Sequence, residues 1–122
     1  MPVTFFTPIG DGYDLDFKIP AHRGTPAVSG KYRPALPEEA AEYWFATNRA
    51  ANGTEQATLA TKFIVEHVKS WDAKYKGSDG SVATAPITVE WIRKNVPWPM
   101  QLELRSEILA YGDGEAQADE KN

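Results

Sequence analysis

Between Tyr13 and Ile19 the chain alternates strictly, with Tyr13, Leu15, Phe17 and Ile19 separated by Asp14, Asp16 and Lys18. A period of two places the apolar set on one face of a β-strand. A short apolar run at residues 3–7 precedes it, and Gly10-Asp11-Gly12 between the two supplies residues that tolerate positive φ, so the pair is expected to form a hairpin. A third strand is expected over residues 28–33, beyond an irregular segment that holds Pro20, Gly24 and Pro26.

The period then changes. Pro37-Glu38-Glu39 reads as a helix start, because proline suits the first turn and glutamates there complement the positive end of the helix dipole. Ala40, Tyr43, Trp44, Thr47 and Ala51 recur at three- and four-residue steps, and Asn52-Gly53 reads as a left-handed stop. Thr54 is then expected to cap a second helix, on which Leu59, Phe63, Ile64, His67, Val68 and Trp71 make a continuous apolar stripe. Residues 72–86, with Gly77, Asp79 and Gly80, predict a loop or loose hairpin. Thr88 reads as the cap of a short third helix, with Ile87 and Ile92 placed as a hydrophobic staple, and the segment from Asn95 to Pro97 ends it. Pro99 is expected to open a fourth helix carrying Met100, Leu104, Ile108 and Tyr111 on one face, with Leu102 and Leu109 beside it and Gly112 to close it.

These elements define an α+β fold, with a small N-terminal antiparallel sheet followed by about four helices. Neither an internal repeat nor a heptad pattern is present. The expected organisation is one globular domain over residues 1–112 and a flexible acidic tail over 113–122. Fourteen aromatic residues among 122 are too many for a disordered chain.

Charge narrows the partners. Seventeen acidic against thirteen basic side chains give a net charge of −4, which disfavours attraction to nucleic-acid phosphates or anionic lipid. The first residues lack the basic and long apolar segments of a secretory signal, and no stretch approaches the roughly 20 apolar residues that span a bilayer. With no cysteine, disulfides and thiolate chemistry are excluded. The expectation is a cytoplasmic protein that binds neither nucleic acid nor membrane.

Candidate chemistry is sparse. The two histidines, His22 in a loop and His67 on the second helix, share no ligand spacing, and His67 reads as a core-edge histidine making one hydrogen bond. Residues 72–81 resemble a calcium loop only superficially, since Lys74 and Lys76 stand where oxygen ligands are needed. Gly10-Asp11-Gly12 lacks the strand-to-helix context of a dinucleotide fingerprint, and no serine sits in a G-x-S-x-G setting. No catalytic residue, cofactor or metal is therefore expected.

The aromatics and the acidic helix start are the remaining candidates, as protein-binding residues. Trp44, Trp91 and Trp98 are each either core or interface anchors, where tryptophan is enriched. Position on an apolar face favours burial for Trp71 and Trp91. Trp98, stiffened between Pro97 and Pro99, is the better anchor. Glu38, Glu39 and Glu42 read first as a solvated helix face and second as a steering patch for a partner.

Ile64-Val65-Glu66-His67-Val68-Lys69-Ser70-Trp71-Asp72, a glycine-bearing loop, and then Ala85-Pro86-Ile87-Thr88-Val89-Glu90-Trp91-Ile92 resemble the tail assembly chaperones of long-tailed bacteriophages. In that group a helix commonly ends in a hydrophobic-Trp-Asp segment, and a loop and a capped helix follow. The loop is longer here, with Val82-Ala83-Thr84-Ala85 before the prolyl cap in place of glycine. The resemblance implies a non-enzymatic protein of the host-cell cytoplasm that binds the tape-measure protein, recruits tail-tube subunits and leaves before the particle is finished, with self-association open. Two other readings stand beside it: a phage structural protein, such as a head–tail connector or minor tail component, and a small acidic inhibitor or adaptor of a host protein.

Overall fold

A computed structural model describes residues 14–21 and 23–109. The run at 3–7, the turn at Gly10-Asp11-Gly12, Tyr13, His22, Tyr111, Gly112 and the acidic tail lie outside the described residues.

The fold is α+β: an N-terminal three-stranded antiparallel sheet, then four helices with a small hairpin inserted. The alternating segment forms β1 (Leu15–Ile19), which pairs with β2 (Val28–Tyr32) so that Leu15 faces Tyr32, Phe17 faces Gly30 and Ile19 faces Val28. Phe17, Ile19, Val28 and Tyr32 are buried, while Asp16, Lys18 and Lys31 stay exposed, as the period of two requires. Helix α1 (Pro37–Asn48) begins with Pro37 and two glutamates, and Glu39 Oε1 accepts the Leu36 N–H at 3.0 Å.

Two sequence expectations at the next junction need correction. Asn52-Gly53 is not a left-handed stop, since Asn52 is extended and Gly53 has negative φ. Asn52 is instead the N-cap of α2 (Gly53–His67), its Oδ1 accepting the Glu55 N–H at 2.9 Å, so the cap lies two residues before Thr54. At the other end α2 stops at His67, and Val68 and Trp71 leave the helical stripe to form β3 (Val68–Trp71). That strand completes the sheet, pairing Gly30 with Trp71 and Tyr32 with Val68 across an irregularity between Lys31 and Tyr32. The free edge of β2 captures the chain as soon as the helix ends.

Asp72 extends the pairing. Its N–H donates to Ser29 O at 2.9 Å, and its carboxylate accepts the Ser29 N–H at 2.7 Å. Residues 72–86 then make a true hairpin from β4 (Lys74–Lys76) and β5 (Val82–Thr84). Gly80, at φ 85°, and the Asp79 carboxylate, which accepts from Ser81 N and Oγ at 3.0 and 2.7 Å, close its turn. Both ends of the hairpin are fastened at Ala85, whose N–H donates to Ala73 O at 2.8 Å while its carbonyl accepts from Trp71 Nε1 at 2.8 Å.

Thr88 caps α3 (Val89–Asn95) as expected, accepting the Trp91 N–H at 3.2 Å. Helix α4 (Trp98–Leu109) starts at Trp98, one residue earlier than Pro99 predicts. Gln101 is buried and terminates α3 from the next helix, donating to Ile92 O at 3.3 Å and Val96 O at 2.9 Å, while its Oε1 accepts from the Thr61 hydroxyl at 2.6 Å. Helix α2 is the hub, touching α1, α3, α4 and β3, and α4 also lies against β1. Ile64, Ile92, Leu104 and Ile108 are almost fully enclosed where these elements meet.

Candidate protein-binding surface

Of the apolar stripe expected on α1, only Tyr43 is buried, its ring 4.5 Å from that of Phe63 on α2. Each helical residue advances about a quarter turn, so the two positions after Tyr43 rotate away from α2 toward solvent. Trp44 is 44% exposed and Phe45 62% exposed. Each ring carries a guanidinium. Arg105 of α4 lies over Trp44 at 5.3 Å and donates to the Tyr43 hydroxyl at 3.3 Å, while its Nε is buried without a hydrogen-bond partner. Arg49, one turn after Phe45, covers that ring at 5.1 Å.

Trp98 is 42% exposed and lines a groove with Gly53, Thr54, Gln56, Arg93 and Gln101. Gln56 Nε2 also donates to Thr47 O in the last turn of α1, at 3.4 Å. Trp44 and Phe45 are neighbours on α1, whereas Trp98, two turns before Arg105 on α4, lines its own groove against the start of α2. Phe45, Arg49 and Arg105 were not singled out by sequence. The four-residue spacing of Phe45 and Arg49 is a legible signal, whereas the reach of Arg105 depends on how α4 crosses α1.

Trp91 stands apart. It is half-buried, and its ring meets Tyr75 of the hairpin at 5.6 Å, so it braces β4 against α3. Trp71, the other tryptophan expected in the core, is buried.

The acidic start of α1 divides. Glu38 and Glu42 are exposed and form no ion pair among the described residues, as a solvated face requires. Glu39 departs from that expectation. The Arg33 guanidinium grips it with two bonds, Nη1 to Oε1 at 3.1 Å and Nη2 to Oε2 at 2.8 Å, and chiefly this contact holds the Glu39 carboxyl below its ordinary pKa.

His67 completes the cluster and is fully buried. Its Nδ1 lies 2.9 Å from Arg33 O, and since a carbonyl only accepts, the proton of the neutral ring sits on Nδ1. Nε2 is left without a hydrogen-bond partner, 3.8 Å from Glu39 Oε2. His67 makes one hydrogen bond, as its sequence reading expects, but it is set deeper than the core edge. Burial pushes its pKa below the ordinary value, against the pull of Glu39 toward the charged form.

A pH dependence follows from these two shifts. The unfolded chain protonates its histidine before the folded one does, so the His67 contribution is complete above about pH 6.5 and declines as pH falls below it, by at most about 1.4 kcal/mol per pH unit. The Glu39 contribution, complete above the ordinary carboxylate range, is lost at still lower pH. Urea midpoints are therefore expected to fall between pH 7.5 and pH 5.5 and further toward pH 3.5. A midpoint that holds or rises on acidification contradicts the assignment.

Among the described residues no group of three or more His, Asp or Glu is placed to share a metal ion, and no helix is long and apolar enough to cross a membrane. What the surface offers is exposed aromatic area, with arginines laid over the rings of Trp44 and Phe45. No protein-family model, curated protein or solved structure matches the chain.

Proposed function

We propose that the protein is a non-enzymatic tail assembly chaperone of a long-tailed phage, binding the tape-measure protein and recruiting tail-tube subunits in the cytoplasm of the host cell. Protein binding as the mode of action is carried by one observation: the adjacent rings of Trp44 and Phe45 on α1 lie exposed, as does Trp98 at the start of α4. Adjacent large aromatics left in water form the kind of patch that marks a surface for a partner, where tryptophan is enriched. The assignment to tail assembly rests on the resemblance of residues 64–92. A transient coat on a long apolar partner needs exposed anchors and a soluble acidic exterior, and a net charge of −4 supplies the second.

The test is a pull-down against the neighbouring gene products of its own genome, including the tape-measure and tail-tube proteins, with mass spectrometry of mature particles alongside. Capture of the tape-measure protein and absence from the particle support the chaperone. Retention in the particle replaces it with a structural component, and capture of a host protein alone replaces it with an inhibitor. Within the same assay Trp98→Ala is expected to weaken capture about tenfold or more while leaving the melting temperature within a few degrees, since the ring is half in solvent. A large fall in melting temperature removes Trp98 from the binding surface.

A further inference from the structure

We infer that the face of α1 carrying Trp44 and Phe45 docks an apolar segment of a partner protein that carries carboxylates. The charge distribution selects this occupant. The chain is acidic overall, yet Arg105 lies over the Trp44 ring and Arg49 over the Phe45 ring, against the one exposed carboxylate of Glu42 a turn before Phe45, and neither arginine has a carboxylate partner among the described residues. Glu55, at the start of α2, turns its own carboxylate onto the Ala51 N–H at 3.2 Å. Elsewhere a comparable arginine is spent internally, as Arg33 is on Glu39.

Arg105 is the fixed element. Its guanidinium is laid on the Trp44 ring and tied to the Tyr43 hydroxyl, and its Nε is enclosed without an acceptor. Such a group has already lost most of its rotamer freedom, so a carboxylate arriving at its outer edge meets an ordered fork of donors. The rings of Trp44 and Phe45 supply the apolar area that gives the contact its affinity, and the arginines supply its sign preference and its rate. This deepens the protein-binding reading and rests on it, but it does not depend on the partner being a tail protein.

The probes are two synthetic amphipathic peptides of equal length sharing one leucine and phenylalanine stripe, one flanked by glutamates and the other by lysines. They are titrated against the full chain by fluorescence anisotropy. The glutamate peptide is expected to bind about tenfold or more tighter at low salt, with the gap closing at high salt. Arg105→Gln is expected to remove most of this preference, and Arg49→Gln, at an exposed helix end, part of it without loss of stability. Trp44→Ala should weaken both peptides.

Equal or tighter binding of the lysine peptide overturns the proposal, as does binding of neither. A preference that survives both arginine substitutions places it on another face. Concentration-dependent dimers that Trp44→Ala disperses assign the surface to a second copy. Binding of the glutamate peptide only after removal of the acidic residues Asp113, Glu115, Asp119 and Glu120 assigns it to the chain's own C-terminus. If the peptide preference holds while no tail protein is captured, the tail-chaperone assignment fails and the docking chemistry stands.

Discussion

Gly30→Ala is expected to cost about 3–5 kcal/mol, or to prevent folding outright, a magnitude reached by few single-methyl additions. Gly30 sits in the middle strand, opposite Phe17 on one side and Trp71 on the other. A Cβ there collides with Ser70 O and comes within 2.8 Å of both Phe17 Cζ and Trp71 Cα. The Phe17 ring has nowhere to go, being buried, and the Ser70 and Trp71 atoms are backbone of β3, whose displacement breaks the pairing that holds the strand. For a domain of this size the loss corresponds to a fall in melting temperature of about 15 °C or more. Gly53→Ala is the contrasting substitution. Gly53 has negative φ in the first turn of α2 and open space where a Cβ would stand, so alanine is expected to be neutral or slightly stabilising. Thermal melts of the two variants check the pair, and a Gly30→Ala protein with near-native stability contradicts the close approach of β3 to β2.

Trp71→Ala is the second large effect, at about 3–5 kcal/mol, because it empties a buried aromatic site and removes the indole bond to Ala85 O. Trp71→Phe separates the two contributions. It keeps most of the apolar volume but strands the buried Ala85 carbonyl, at an expected cost of about 1–3 kcal/mol. Chemical denaturation of both variants gives the difference. If phenylalanine costs as much as alanine, the hydrogen bond dominates the site; if it costs nothing, the bond to Ala85 is not made in solution. Either substitution is also expected to loosen the hairpin, which Ala85 fastens on both sides, and amide exchange of Ala85 and residues 74–84 reports that directly.

Where local chemistry decides, the fold was legible in the sequence. The alternation of β1, the Pro-Glu-Glu start of α1 and the Thr88 cap each rest on residues within a few positions of one another. β3 was not legible, because Val68 and Trp71 continue the helical spacing of Phe63, Ile64 and His67, and what ends the helix is the distant edge of β2. Asn52-Gly53 failed for a different reason, since the same dipeptide serves as a stop when glycine is left-handed and as a cap when asparagine is extended, and only φ distinguishes them. In the candidate surface, the proline-flanked Trp98 was readable as an anchor or as core, and it is exposed. Glu39 was not readable as half-buried in an ion pair, because its partner Arg33 follows the end of β2. Trp71, Asp72 and Thr88, which carry the family resemblance, all make structural bonds: to the hairpin, to β2 and to α3. The motif describes how this segment is held together, and the exposed rings of Trp44, Phe45 and Trp98 lie outside it.

The direct passage from α2 into β3 also sets the order in which the chain can assemble. The β1–β2 hairpin needs only local contacts, but a two-stranded ribbon is marginal in water. Its third strand lies beyond both α1 and α2, so the sheet closes only after that helical pair has folded back and shortened the loop to be closed. The transition state is then expected to contain α2 with its partners and to leave the sheet unfinished, with β3 zipping onto β2 as a late step on the way to the native state.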